Sequence, residues 1–304
     1  MKTFSRVLAC LLPVANLLAA NSAPAPGAGA VPVPVPAATA AATAAPKSKI
    51  LRSGDNVFSL LPKSFQRNPI LDMTVNTEMT EYGRLLRPAT VAQPVYYIAQ
   101  PAGFRQFGVP TAGEKPPPAQ ELETAMTRAL AETGYLQASQ PGPSPSLVVI
   151  YYWGTHNKLD PETAKDFPEL AAKYQLERAV LVGGKKYAHQ LGQIMEFGET
   201  LFDRTQEKEY LRDQALGDLY FVVASAYDYA AVTQGQKKLV WRTTMTVSTG
   251  GVSLRETLGP LIATAAPYFG RESTKPEIVA RRVAREVRVE VGIPTVVEEK
   301  KTKP

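Results

Sequence analysis

Apolar and polar positions along the chain follow two periods. Val75, Thr77 and Met79 alternate with Asn76, Glu78 and Thr80, which predicts a half-buried strand over 72–80. Val95 to Ile98 marks a second strand within 91–100. Pro94 stands near its start, where a missing N–H is tolerated, and a Pro/Gly-rich loop runs on to Pro118. Leu122, Ala125, Met126, Ala129 and Leu130 recur at helical spacing, with Pro116 to Pro118 before them and Gly134 at the C′ position after them. The unbroken apolar run from Leu147 to Trp153 reads as a buried strand. Strand, helix and strand over 91–153 therefore predict a parallel crossover unit.

Residues 154–218 read as a mainly helical insertion. Asp160-Pro161 supplies an N-cap followed by proline at N1. Tyr187, Leu191, Ile194, Gly198, Leu201 and Phe202 mark one face of a long helix, and Glu207 to Glu209 a solvated stretch. Leu219 to Ala226 is a buried strand. Leu239, Trp241, Thr243, Met245 and Val247 alternate with Val240, Arg242, Thr244 and Thr246, so the two segments predict an antiparallel hairpin around Gly235. Ser253 and Glu256 form a capping box that opens a helix running to Phe269, kinked or divided by Pro260 and Pro267. Pro276 opens a last helix with Val279, Val283 and Val287 on one side; its end also reads as a strand. The expected fold is α+β: one domain over 50–295, a mixed sheet of four or five strands with helices mainly on one face, and a charged tail at 296–304. Val240, Arg242, Thr244 and Thr246 would line the face left open.

The first 49 residues follow a different rule. Lys2 and Arg6 precede a 14-residue apolar run from Val7 to Ala20, the length of a signal-peptide core and too short to span a bilayer. Cleavage is expected after Ala20. Val7-Leu8-Ala9-Cys10 loosely resembles a lipidation box, but the apolar run continues past the cysteine, which favours cleavage over a lipid anchor. Residues 21–49 are almost all Ala, Pro, Val, Thr and Gly, with VPVPVP at 31–36, the composition of a semi-extended disordered linker. The chain is thus expected to be exported, periplasmic or extracellular, with no transmembrane segment once mature.

Composition narrows the chemistry. Losing Lys2 and Arg6 lowers the formal charge from +6 to +4, too little to point to nucleic acid. Cys10 is the sole cysteine, so a mature chain without it has no disulfide, cysteine-zinc site or thiol nucleophile. Gly183-Gly184-Lys185-Lys186 lacks the other elements of a phosphate loop, and GxGxxG, HExxH and GxSxG are all missing. No cofactor or metal is expected. Of the two histidines, His189 reads as an exposed helix residue, its i+4 neighbour Gln193 being a poor ligand. His156 follows the buried strand at its C-terminal end, where α/β sheets often bind ligands. Asp228 ends another strand, either as a turn acceptor or as a general base. Trp153, His156, Asp228 and Arg242 are the candidate binding residues.

Gly134-Tyr135, the run Pro145-Ser146-Leu147-Val148-Val149 and the strand Lys238-Leu239-Val240-Trp241-Arg242 together resemble a family of uncharacterised bacterial envelope lipoproteins with a small α/β sandwich. The likeness covers roughly 91–270 and implies fold and compartment, with no active site to transfer. The chain departs from it in lacking a clear lipidated cysteine and in carrying the 154–218 insertion. The expected role is a non-catalytic envelope module that binds an envelope protein or a polar, anionic surface. The alternative is an exported hydrolase built on His156 and Asp228.

Overall fold

The structure is a computed structural model and describes residues 62–111, 114–139, 141–197 and 205–285. The signal segment, the linker, Cys10, the 296–304 tail and Gly198, Leu201 and Phe202 lie outside these residues. Seven strands form one mixed sheet: β1 (Ile70–Met79), β2 (Val95–Phe107), β3 (Tyr135–Gln137), β4 (Leu147–His156), β5 (Leu219–Asp228), β6 (Leu239–Ser248) and β7 (Glu277–Arg282). Their order is β3-β2-β4-β5-β6-β1-β7. β2 runs parallel to β3 and β4, and the other pairings are antiparallel. The α+β class and the mixed sheet stand, but four or five strands is an undercount.

Three elements differ from the expectation. β2 does not end at Gln100; it shifts register between Pro101 and Phe104 and then resumes pairing with β4 as far as Phe107. Proline and glycine, read as a loop, instead make a bulge. β3 has three residues, too few to show a period. The segment after Pro276 is strand, not helix, because Glu277 to Arg282 pairs with Ile70 to Val75.

Helices α1 (Glu81–Leu85), α2 (Ala119–Glu132), α3 (Pro161–Asp166), α4 (Pro168–Phe197), α5 (Gln206–Leu216), α6 (Tyr229–Thr233) and α7 (Leu254–Ala265) complete the described chain. α2 buries Leu122, Met126, Ala129 and Leu130, positions 4, 3 and 1 residues apart that share one face. It stops at Gly134, whose φ is 90° and where a Cβ would stand 2.3 Å from the Thr90 carbonyl. Only glycine fits that turn. α7 begins at the expected Ser253–Glu256 capping box and passes through Pro260. Pro267 falls in the 3-10 turn Ala266–Tyr268 that follows.

One sheet face packs on α2 and α7 in a large apolar core that takes Val149, Tyr151 and Trp153 from β4 and Trp241 and Met245 from β6. Helices do not keep to that face. α4 lies against β1 and β6 on the other side, and with α5 it forms a second, smaller cluster around Ala179, Val182, Leu211, Ala215 and Leu219. The expectation of helices on one face is therefore corrected. Val240, Thr244 and Thr246, read as open, are all buried.

Where β2 resumes after its bulge, the strands approach closely at Gly154. A Cβ there would lie 1.6 Å from the Arg105 carbonyl oxygen. Gly154→Ala is expected to force β2 from β4 and cost about 3 kcal/mol in urea unfolding. Gly192→Ala, on α4 with no atom within 4 Å of the new methyl, is expected to gain about 0.5–1 kcal/mol instead.

Candidate functional site

The strand register separates the residues that sequence reading brought together. β4 and β5 are antiparallel, and Asp228 pairs with Leu147 while His156 pairs with Leu219. Nine strand positions divide them, roughly 30 Å at about 3.3 Å per residue. Proton transfer needs contacts near 3 Å. His156 and Asp228 therefore form no catalytic pair, and the hydrolase built on them is set aside. Trp153 faces the α2–α7 core, on the opposite side of β4 from His156, and is a packing residue.

Asp228 is a cap. Its Oδ1 accepts the Ala231 N–H at 2.7 Å and starts α6, while Oδ2 accepts the Tyr82 hydroxyl at 2.7 Å. Lys238 sits over the Tyr82 ring, 3.3 Å from its centre. The Ala231 N–H, then the Tyr82 hydroxyl, hold the carboxyl below its ordinary range.

His156 is buried at 2% exposure under α4. Its ring lies 5.1 Å from Phe107 and 5.3 Å from Tyr174, the latter edge-on. Nε2 is 3.3 Å from Glu177 Oε2, and Nδ1 has no hydrogen-bond partner. Burial pushes the imidazole below its ordinary pKa; the Glu177 contact opposes this and Arg178 adds to it. Arg178 is itself buried and donates Nε to the Ala215 carbonyl and Nη1 to the Asn157 carbonyl. His189 is exposed on α4.

Arg242 lies six strand positions from the His156 row, beside Ser225, whose hydroxyl accepts its Nε–H at 3.2 Å. It is half-buried, on the part of the second face beyond α4. Tyr152 shares that part of the face. Burial pushes the Tyr152 hydroxyl up from its ordinary value, and Arg242 and Arg105 both pull it back. Arg105 and Arg242 stand on strands to either side of β4, which carries Tyr152. Neither forms an ion pair among the described residues, although Glu78 stands directly opposite Arg242 on β1. Tyr227 and the exposed Ile98 extend the same surface by alternation. Arg105 is not legible in the sequence, because Pro101 and Gly103 predict a loop where β2 has a bulge. Alternation within 147–153 was the available signal for Tyr152.

An open cleft of about 540 Å³ lies at the start of α7, lined by Glu114, Tyr220, Ser253, Arg255 and Arg285 among others. Its polar groups are engaged with one another. Glu114 accepts the Leu254 N–H at 2.5 Å and the Tyr220 hydroxyl at 2.6 Å. Arg285 donates to the carbonyls of Lys63, Ser64, Gln66 and Gly251. These contacts staple the ends of the described domain. No three His, Cys, Asp or Glu side chains among the described residues gather as a metal site. No helix among them is long and apolar enough to cross a membrane.

No family model and no curated protein matches the chain. Among solved structures, it is similar to two PelC dodecamers from Paraburkholderia phytofirmans, one of them a point variant. Each is 12% identical and matches 64% of this chain; the alignments span 95% and 96% of PelC, with TM-scores of 0.29 and 0.28. At that level neither residues nor activity carry over.

Asp228→Ala is expected to cost about 1–2 kcal/mol in urea unfolding, and Asp228→Asn to retain most of the cap. The depressed carboxyl stabilises the fold above its unfolded pKa of about 3.9 and ceases to do so as pH falls through the lower folded value. The alanine variant should therefore lose less stability than the wild type on acidification.

Proposed function

We propose that the chain is an exported envelope module that binds a polar, anionic partner without chemistry of its own. The binding surface is the part of the second sheet face beyond α4: Arg105, Tyr152, Tyr227 and Arg242. The carrying observation is that Arg105 on β2 and Arg242 on β6, with β4 and β5 between them, share the sheet face of the half-buried Tyr152 and form no ion pair among the described residues, Glu78 standing opposite Arg242 on β1. Planar guanidinium groups bind carboxylate and phosphate oxygens in pairs, and a sheet platform fixes their spacing with little ordering cost. This revises the binding face read from sequence. Arg242 stays, while Thr244 and Thr246 give way to Arg105 and Tyr152.

Export rests on the N-terminal pattern: two basic residues, a 14-residue apolar run and small residues at Ala19 and Ala20, followed by a proline-rich spacer. The spacer would let the folded part reach a partner at a distance from an anchoring point.

The test uses mature protein recovered from an expressing bacterium. Its N-terminal sequence is expected to begin near Asn21; a retained Met1 in the cytoplasmic fraction would overturn export. Binding is then measured against poly-glutamate at fixed salt. Arg105→Ala/Arg242→Ala is expected to weaken it at least tenfold. Arg128→Ala/Lys165→Ala, which removes the same charge elsewhere, should leave it within twofold. Equal losses in the two variants, or none in the first, would overturn the assigned face.

A further inference from the structure

The second helical layer is joined to the sheet largely by polar contacts. Thr74 and Thr246 both donate to the Gln214 side-chain oxygen, at 2.6 and 3.5 Å. Tyr210 donates to the Asp72 carbonyl at 2.8 Å. The Gln214 amide nitrogen, the Asn157 side-chain oxygen and His156 Nδ1 are buried without partners. Hydrogen bonds that replace bonds to water stabilise by only about 1 kcal/mol each, and a buried unpaired group costs more than that. The α2–α7 side also holds unpartnered buried nitrogens, on Trp153 and Trp241, so the layers differ in apolar burial: the second rests on a much smaller apolar cluster and is held less firmly for that reason.

It also contains a break. Gly184 has φ 77° inside α4, which divides that helix into 168–183 and 185–197. A Cβ at 184 would lie 2.4 Å from Glu78 Oε1 and 2.6 Å from Asn76 Nδ2, so the position needs glycine for space as well as backbone angle. Glu78 accepts the Lys185 N–H at 2.9 Å and fixes the second half to β1. The first half is fastened at its other end, where Tyr174, Glu177 and Arg178 close over His156.

We infer that residues 161–183 form an acid-released lid, hinged at Gly184 and latched where His156 is enclosed by Phe107, Tyr174 and Glu177. Enclosure away from water disfavours the charged form of the ring. The charged and titratable groups that face it come from α4: Glu177, which would support an imidazolium at 3.3 Å, and Arg178, which opposes one. Lys173 competes for Glu177 at 4.0 Å, and Asp218, beyond α5, is drawn to Arg178. β2 and β5 contribute only the apolar rings and chains of Phe107, Phe221 and Leu219 to this floor. Burial, the largest effect, keeps the folded imidazole harder to protonate than a free one. The closed lid is accordingly favoured above the open-state pKa of about 6.5 and loses that advantage as pH falls below it. Opening would expose Phe107, His156 and Phe221, a strip of rings that continues to Tyr152 through its edge-on contact with Phe221 at 5.9 Å. The device stands whether or not the Arg105–Arg242 surface binds an anion, and its test involves no ligand.

Amide hydrogen exchange of the full mature chain at pH 7.5 and pH 5.0, corrected for intrinsic rates, reads the lid directly. Amides of 168–183 are expected to lose protection by up to about 30-fold at the lower pH, the limit set by an open-state pKa near 6.5. Those of β4 and β5 should hold theirs. His156→Phe is expected to keep the pH 7.5 protection and abolish the response. Glu177→Gln removes the negative charge that supports the imidazolium and should enlarge it. Should His156→Phe not fold, Glu177→Gln carries the comparison alone. Unchanged protection of 168–183, loss shared equally with β4 and β5, or variants that respond like the wild type would each overturn the lid.

Discussion

Burial of β5 on both faces is the constraint around which the molecule is arranged. All eight residues from Leu219 to Ala226 are buried. A central strand with two buried faces requires cover on both sides of the sheet, and α2 and α7 can provide only one. The second cover comes from the 154–218 insertion, through α4 and α5. Its path leaves β2 and parts of β4, β5 and β6 outside it, which is why Tyr152 and Arg242 remain partly open while Thr244 and Thr246 are buried.

The two covers differ in chemistry, and that difference separates their roles. The α2–α7 side joins Trp241, Met245, Leu261 and Phe269 in an apolar core, whose stabilisation scales with the area withdrawn from water. The α4–α5 side places Thr, Asn, Gln, His and Arg against one another. Hydrogen-bonded interfaces of this kind specify position while contributing modest net stability. A layer that is well placed yet weakly held suits movement, and Gly184 gives it a point about which to move.

Local chemistry was legible in the sequence where it acts over a few residues. The Asp160 cap, the Ser253 capping box, the Gly134 helix end, the buried run at 147–153 and the antiparallel 219/239 pair all have local causes. The parallel β2–β4 pair followed from the crossover. What failed depends on distant partners. Thr244 and Thr246 alternate like a wet face, yet Asn76 and Gln214, 168 and 32 residues away, accept their hydroxyls in a dry one. His156 and Asp228 both end strands, but antiparallel register puts those ends on opposite sides of the sheet. Val279 fits a helical or an extended pattern, and only pairing with Met73 decides it. Trp153 and His156 are close in sequence and face opposite ways because they stand three positions apart on a strand, an odd offset.

Whether the second helical layer encloses His156 as a neutral, desolvated group is the claim on which the two-layer account turns. NMR titration of the imidazole signals in the full mature chain measures it, with His189→Gln used to assign the two rings. The account predicts that His156 titrates below the ordinary value of about 6.5, and that Glu177→Gln lowers it further. A His156 midpoint at or above that value would contradict the account, because it would mean that the ring is solvated or that the carboxylate, rather than burial, governs the site.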